Sequence, residues 1–187
     1  FNNDGKQDFI VVGEWSEPGF FQNQGNSFKN VFANLNLPDM KGWWFSVTET
    51  DVNKDGQADY ILGNVGLNTK FKASPKKAFK VFANDFDNNG TLDVVLSKKY
   101  KNKYVPVRGK ECSSQQMPFI SEKFETYDAF AKASMTDIFE DKLKESYSLE
   151  VNEFHSILLI NRGKYFEKKK LPAIIQSFPL LSCVVKD

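Results

Sequence analysis

A nine-residue acidic segment, residues 51–59 (DVNKDGQAD), constrains the fold of this chain more than any other stretch. Oxygen-bearing side chains occupy its first, third, fifth and ninth positions, and Gly56 occupies the sixth. A hard cation such as Ca²⁺ takes six to eight oxygen ligands at about 2.3–2.6 Å. Gly56 permits the positive φ that a tight loop around such an ion needs. Because closely spaced carboxylates repel one another, the loop needs either a cation or contact with water.

The same spacing recurs elsewhere in the chain. Residues 85–93 (DFDNNGTLD) repeat it, with Asn89 at the fifth position, and residues 1–8 (FNNDGKQD) repeat it without the first position. Asp187 follows residues 181–186 (LSCVVK), a run that is similar to the segments before the two complete copies, so we expect it to begin a fourth loop. We name the copies loop A (residues 1–8), loop B (residues 51–59) and loop C (residues 85–93).

The residues after each loop indicate what kind of loop it is. An EF-hand requires a bidentate Glu at the twelfth position, on an exiting helix, but Leu62 and Leu96 occupy that position in loops B and C. Each loop is followed instead by a short run rich in β-branched and aromatic residues, which predicts a strand. The loops are therefore predicted to join two strands. A polar hairpin turn without metal is the alternative, and the repetition favours a metal site.

A second repeated feature defines a larger unit. Residues 20–28 and 158–166 both read as strand, Asn-x-Gly turn, strand. Combined with the acidic loops, they predict a unit of four antiparallel strands, which is typical of a β-propeller blade. The predicted fold is all-β: a β-propeller fragment of about three four-stranded blades, with residues 1–187 forming part of one propeller domain.

Residues 119–146 interrupt the strand pattern and predict a small helical insertion. Two short helices are expected, over residues 126–133 and 136–145, with Thr126 and Thr136 as N-caps. The insertion is expected to cover the edge or face of a blade; a lid beside a binding surface is the alternative.

Composition excludes several functions. The 25 Lys and Arg against 24 Asp and Glu give a net charge of +1, whereas a nucleic-acid-binding domain has a strongly basic face. No run of 18 apolar residues predicts a membrane span. Cys112 and Cys183 are too few for a disulfide framework, and they are expected either to pair or to be buried thiols.

With these motifs in view, the chain resembles the FG-GAP/VCBS repeat family of calcium-loop β-propellers, to which the integrin α-subunit head belongs. Residues 63–71 (GNVGLNTKF), with the helical insertion, are similar to bacterial VCBS proteins grouped with the cartilage acidic protein (ASPIC/UnbV) family. The resemblance implies Ca²⁺ ligands from side chains at the first, third, fifth and ninth positions and from a backbone carbonyl at the seventh. The implied ligands are Asp51, Asn53, Asp55, Gln57 and Asp59 in loop B, Asp85, Asp87, Asn89, Thr91 and Asp93 in loop C, and Asn2, Asp4, Lys6 and Asp8 in loop A.

Two of the loops depart from the family pattern. Loop A lacks its leading acid, so full occupancy requires a preceding Asp. Asn89 removes a negative charge at the fifth position of loop C, so we expect loop C to bind Ca²⁺ more weakly than loop B.

The resemblance also implies an exported protein, either secreted, periplasmic or at the cell surface or outer membrane. A complete propeller has four to eight blades, so the chain is expected to be part of a longer protein. The expected function is a non-enzymatic binding or adhesion scaffold for a protein or glycan partner. Trp15 and residues 43–45 are candidates to line its binding face, with core packing expected for at least half of them.

The alternative is a carbohydrate-active enzyme, a lyase or hydrolase, that uses loop carboxylates on a propeller. His155 is the single histidine of the chain, and no nucleophile motif accompanies it. It is therefore expected to be structural, and no catalytic residue is predicted.

Overall fold

A computed structural model describes residues 1–186, so Asp187, the predicted first residue of a fourth loop, lies outside the described residues. The strands are β1 (Phe9–Val11), β2 (Glu14–Ser16), β3 (Gly19–Asn23), β4 (Phe28–Asn30), β5 (Gly42–Thr50), β6 (Asp59–Asn64), β7 (Phe79–Asn84), β8 (Asp93–Tyr100), β9 (Lys103–Pro106), β10 (Tyr147–Val151), β11 (Ile157–Asn161) and β12 (Phe166–Lys170). The helices are α1 (Lys110–Gln116), α2 (Phe119–Lys123), α3 (Tyr127–Lys132), α4 (Met135–Phe139) and α5 (Asp141–Glu145), with 3₁₀ turns at Phe32–Asn34 and Ile175–Ser177.

The chain divides into two compact units. The first contains residues 1–75 and the chain from residue 151 onward, and the second contains residues 76–150. The second unit is therefore inserted in sequence between strands of the first. The prediction placed a small helical insertion at residues 119–146, whereas the inserted unit also contains a sheet.

The first unit contains two antiparallel sheets. One has the strand order β1-β3-β4, and the other has the order β12-β11-β6-β5-β2. Residues 51–58 connect β5 to β6, which pair antiparallel with Thr50 opposite Asp59. The Asn-x-Gly turn that begins at Asn161 connects β11 to β12. The four strands β12-β11-β6-β5 are the unit that the sequence predicted, although β6 and β11 are separated in sequence by the whole second unit.

The core of the first unit is largely aromatic. Phe20 is completely buried and its ring lies within 5.4 Å of the Phe166 ring and 6.3 Å of the Tyr60 ring, measured between centroids. Trp44 is buried in the same core. Trp43 packs edge-on against Trp15 and Phe45 is 36% exposed, so the predicted aromatic cluster divides between core and surface.

The second unit packs its helices against a four-stranded sheet. The strand order is β10-β7-β8-β9, and loop C connects β7 to β8. Phe86 from loop C packs on Phe139 of α4 with ring centroids 4.2 Å apart. Both rings belong to an apolar core that also includes Met117, Ile120 and Ile138.

Several sequence predictions need correction. The sheets have three, four and five strands rather than four each, and the helical region begins at Lys110. Thr126 caps α3 as predicted, by accepting a hydrogen bond from the backbone N–H of Ala129. Thr136 does not cap α4, because Ser134 does so through a capping box.

Both cysteines are free thiols, exposed at Cys112 and half-buried at Cys183, so neither is buried.

Candidate metal-binding loops

The three acidic loops have the same backbone conformation. The fourth and sixth positions of each loop have positive φ: Asn3 (57°) and Gly5 (79°) in loop A, Lys54 (58°) and Gly56 (79°) in loop B, and Asn88 (61°) and Gly90 (83°) in loop C. Two left-handed residues separated by one residue turn the chain sharply, and Gly carries no Cβ penalty there. The sequence repeat is therefore also a repeat of local structure.

The first-position aspartate of loops B and C accepts hydrogen bonds from the backbone of its own loop. Asp51 accepts hydrogen bonds from the backbone N–H groups of Asp55 (3.1 Å) and Gly56 (2.8 Å). Asp85 accepts the equivalent bonds from Asn89 (3.0 Å) and Gly90 (2.9 Å). The Gly90 N–H is the main reason that the pKa of Asp85 lies below its ordinary value, because a hydrogen bond to the ionised form favours ionisation.

The third and fifth positions form an amide–carboxylate pair in every loop. The amide Nδ2 donates to the carboxylate Oδ2 from Asn2 to Asp4 (3.0 Å), from Asn53 to Asp55 (2.8 Å) and from Asn89 to Asp87 (3.0 Å). The fifth-position oxygen also accepts the seventh-position backbone N–H, from Lys6 (2.9 Å), Gln57 (2.9 Å) and Thr91 (2.7 Å). One carboxylate and one amide at these positions give two oxygen ligands with a single negative charge.

The ninth-position aspartate is buried and joins the two ends of its loop. Asp59 is completely buried and its Oδ2 accepts the backbone N–H of Val52 at 3.0 Å. Asp93 is 4% exposed and accepts the N–H of Phe86 at 3.1 Å. In loop A, Asp8 instead accepts a bond from the amino group of Phe1 at 3.2 Å. The contact between the second and ninth positions is thus present in all three loops.

In loops A and B an Asn-x-Gly hairpin holds the other oxygen of this aspartate. The backbone N–H of Asn161 donates to Asp59 Oδ1 at 2.8 Å, and its side-chain amide donates to the carbonyl of Ala58 at 3.2 Å. Asn23 makes the same two bonds, to Asp8 Oδ1 (2.9 Å) and to the carbonyl of Gln7 (3.1 Å). The sequence identified both asparagines as turn residues but did not predict that the turns contact the acidic loops.

Loop C takes different partners, from helices of the second unit. The side-chain amide of Gln116, at the end of α1, donates to Asp93 Oδ1 at 3.1 Å. The ammonium group of Lys142 in α5 donates to the carbonyl oxygens of Asp85 and Phe86, each at 2.9 Å, and to Asn88 Oδ1 at 2.6 Å. Sequence reasoning missed both residues, because neither lies near loop C in the chain.

The carboxylates of loop C lie close enough together to hold one divalent cation. Carboxylate oxygens of Asp85, Asp87 and Asp93 all lie within 4.8 Å of one another. Two ligands of the same Ca²⁺ can be at most about 5 Å apart, since each lies at about 2.3–2.6 Å from the ion. The three carboxylates therefore fit around a single ion. Asn89 and Thr91, the other predicted ligands, lie in the same loop.

The charges of loops B and C are equal when the whole loops are compared. Loop B has Asn53 at the third position and Asp55 at the fifth, while loop C has Asp87 at the third and Asn89 at the fifth. Each loop therefore has three aspartates, and Asn89 relocates a charge rather than removing one. The expectation of weaker binding in loop C stays a prediction, now based on the nearby ammonium group of Lys142.

Comparison with known proteins supports the repeat in the N-terminal third of the chain. A family model described as an FG-GAP-like repeat matches residues 1–62, which include loops A and B. No curated protein and no solved structure matches the chain. Within residues 1–186, no helix has the length and apolar character needed to cross a membrane.

Proposed function

We propose that this chain is a calcium-stabilised part of a β-propeller similar to those of the bacterial VCBS and cartilage acidic protein-like group, and that it serves as a binding scaffold in an exported or cell-surface protein. The observation that carries the proposal is the common geometry of the three acidic loops. In all three loops the same positions have positive φ, and the ninth-position aspartate accepts a hydrogen bond from the second residue. In loops B and C the first-position aspartate also accepts bonds from the same two backbone N–H groups. A repeated loop of this kind suits a structural ion at each repeat.

The pairing of acidic loops with Asn-x-Gly turns supports the propeller. Loop A lies beside the β3–β4 hairpin and loop B beside the β11–β12 hairpin, and the same bonds join loop and turn in each. Two copies of one supersecondary unit are expected when blades repeat around a common axis.

The C-terminal segment of the first unit supports packing against the face of a blade. The hydroxyl groups of Ser46 and Thr48 donate to the carbonyl oxygens of Leu180 (2.9 Å) and Cys183 (3.4 Å). Gly63, opposite Ser46 in the sheet, makes room for this segment, since an added Cβ would lie 2.0 Å from the Leu180 oxygen. A backbone held this closely over the sheet is what a neighbouring blade would provide.

Calcium would act here as a structural ion. In loop C the ion would be held by Asp85, Asp87 and Asp93, with Asn89 and Thr91 available as further oxygen ligands; in loop B the corresponding residues are Asp51, Asn53, Asp55, Gln57 and Asp59. The ion would neutralise the carboxylates and fix the connection between two strands. Millimolar calcium outside the cell matches the affinity range of about 10⁻⁴–10⁻³ M that extracellular modules have.

The proposed role is non-enzymatic, and the use of the loop carboxylates supports this proposal. They accept hydrogen bonds from their own backbone, which suits holding a loop in shape rather than moving protons. The partner is proposed to be a protein or a glycan bound by the surface that these loops support.

Calorimetric titration with Ca²⁺ tests the proposal. The wild-type chain should bind with saturable heat, and Asp51→Asn and Asp85→Asn should each abolish the contribution of one loop. Asp128→Asn is the matched control, because Asp128 is an exposed helical carboxylate outside the loops. Absence of saturable heat in the wild type, or equal binding by all three variants, would contradict the calcium sites.

A further inference from the structure

The first unit contains a groove of about 650 Å³ that is separate from the acidic loops. It lies where β12 ends, and its walls include Leu67, Asn68, His155, Lys170, Leu171 and Gln176. We call this depression the His155 groove. Its lining combines apolar side chains with a few polar ones, as is common for small-molecule sites.

The wall of the groove is fixed by a buried amide. Gln176 is 5% exposed, and its side chain accepts the backbone N–H of Ser156 (2.8 Å) and donates to the carbonyls of Ser156 (2.9 Å) and Leu171 (3.0 Å). Its backbone carbonyl accepts the N–H of Leu67 at 2.6 Å. These bonds join both sides of the groove, so the groove is formed before any ligand arrives.

Three charged or titratable side chains contact one another in series, and the last of them, His155, lines the groove. Lys168 Nζ lies 2.5 Å from Glu153 Oε2, and Glu153 Oε1 lies 2.6 Å from His155 Nδ1. The three side chains are only 18%, 12% and 24% exposed, respectively. Burying three such groups costs desolvation energy. A histidine with only a structural role at the surface would not need these two partners.

The contact with Glu153 determines which ring nitrogen of His155 donates a hydrogen bond to the protein and which is left for a ligand. Burial raises the pKa of Glu153, but the hydrogen bonds from Lys168 and His155 outweigh burial and hold it below its ordinary value. An ionised carboxylate can only accept hydrogen bonds, so Nδ1 must be the donor. Within residues 1–186, no protein group hydrogen-bonds to Nε2. That nitrogen is left to a ligand or to water.

The charges around His155 favour an anion. The carboxylate that faces it, Glu153, is already paired with Lys168. Lys170 lines the groove from β12 and supplies a positive charge there, and Lys72 donates a hydrogen bond to the carbonyl of the lining residue Leu67 at 2.8 Å.

We propose that the His155 groove binds a small organic carboxylate. The ligand carboxylate contacts the ammonium group of Lys170 beside Nε2 of His155, and its body contacts Leu67 and Leu171. No covalent bond changes on binding. The carboxylate belongs either to a sugar acid or to an apolar acid, and Asn68 on the wall offers hydrogen bonds to the hydroxyl groups of the former.

The test uses His155 as its own probe, because it is the only histidine of the chain. Nuclear magnetic resonance of the imidazole is recorded during titration with glucuronate and with benzoate, and with glucose and benzyl alcohol as neutral counterparts. At pH 6 at least one acid should produce a saturable shift and the neutral compounds none. A preference for glucuronate or for benzoate identifies the source of the carboxylate.

Variants separate binding from structural support. Lys170→Met should lower the affinity for the acid at least about tenfold. Lys169→Met is the control, because Lys169 pairs with Glu167. The proposal is overturned if wild-type protein shows no saturable shift with either acid, if the neutral compounds shift it equally, or if Lys169→Met and Lys170→Met have the same effect. Repeating the titration on protein from which divalent ions have been removed with an immobilised chelating resin keeps this result independent of the calcium sites.

Discussion

Loop B and loop C have the same shape, but different parts of the chain hold their buried aspartates. Asp59 of loop B is held by the backbone N–H of Asn161, which belongs to a hairpin between two paired strands. Asp93 of loop C is held by the flexible side-chain amide of Gln116 at a helix end. The comparison separates two causes: the nine-residue sequence determines the turn, and the surrounding structure determines how firmly its last residue is fixed.

The two loops also differ in their external charges. Lys142 donates three hydrogen bonds to loop C, two to backbone carbonyls and one to Asn88. Its ammonium group lies beside the loop that is proposed to receive a cation. Lys142 of α5 therefore holds loop C by hydrogen bonds, while its positive charge repels a cation bound there. We expect loop C to have a lower affinity for Ca²⁺ than loop B.

The largest expected difference comes from removing the buried aspartates. Asp59→Ala leaves two N–H groups without acceptors: the buried one of Asn161, which costs about 1–3 kcal/mol, and the partly exposed one of Val52, which costs about 0.5–1.5 kcal/mol. We expect the free energy of unfolding to fall by about 1.5–4.5 kcal/mol. Asp93→Ala should cost about half as much, because the Gln116 side chain can turn to water. Urea denaturation in EDTA measures both, and equal losses would contradict the comparison.

Replacing the sixth-position glycines should affect both loops equally. Gly56 and Gly90 have φ of 79° and 83°, and an added Cβ would have no heavy atom within 4 Å at either position. The cost is therefore confined to the left-handed backbone, at about 1–2 kcal/mol for each Ala variant. Gly13→Ala is the control, since its φ is not positive and its Cβ would meet Ser16 Oγ at an ordinary 3.6 Å. Unequal losses in thermal unfolding would show that the two backbones differ.

Lys142→Met tests the opposing charge at loop C. Removing the ammonium group should raise the Ca²⁺ affinity of loop C by about threefold to tenfold and leave loop B unchanged. Lys144→Met in the same helix is the control, because Lys144 pairs with Asp141. Calorimetric titration gives both affinities. A fall in affinity would mean that the tether orders the loop more than its charge opposes the ion.

The smallest expected effect is on how the free energy of unfolding changes at acidic pH in the absence of calcium. The pKa of Asp85 is lowered below its ordinary 3.8, chiefly by the Gly90 N–H. Its ionised form therefore stabilises the fold above the ordinary pKa, and this stability is lost as the pH falls through the lowered value. Asp85→Asn should flatten the pH dependence of the unfolding free energy as the pH falls below the ordinary pKa of 3.8. A pH dependence identical to that of the wild type would contradict this assignment.

The sequence predicted the parts of the site that depend on local residues. The spacing of Asp51, Gly56 and Asp59 predicted the turn and the strands on either side, and the structure confirms both. The Asn-x-Gly turns were also predicted. Their docking on the acidic loops was not predicted. In loop B it depends on β11 lying beside β6 across the inserted unit, of which the sequence pattern revealed only the helical part.

The inserted unit was the least predictable region. Helix α1 (KECSSQQ) has no apolar stripe, so the periodicity that reveals amphipathic helices is missing. The contacts of Gln116 and Lys142 with loop C join residues that are 23 and up to 57 positions apart. Contacts of this kind arise from tertiary packing, which no local pattern encodes.

Thermal melting with Ca²⁺ and with EDTA tests the central claim most directly. Ten millimolar Ca²⁺ acting on a site with a Kd of about 0.1–1 mM adds about 1.4–2.7 kcal/mol per site. For a chain of this size each kcal/mol raises Tm by about 2–4 °C, so we predict an increase of several degrees that Asp51→Asn and Asp85→Asn each reduce. An identical Tm in Ca²⁺ and in EDTA, for wild type and variants alike, would contradict the claim that these loops hold calcium.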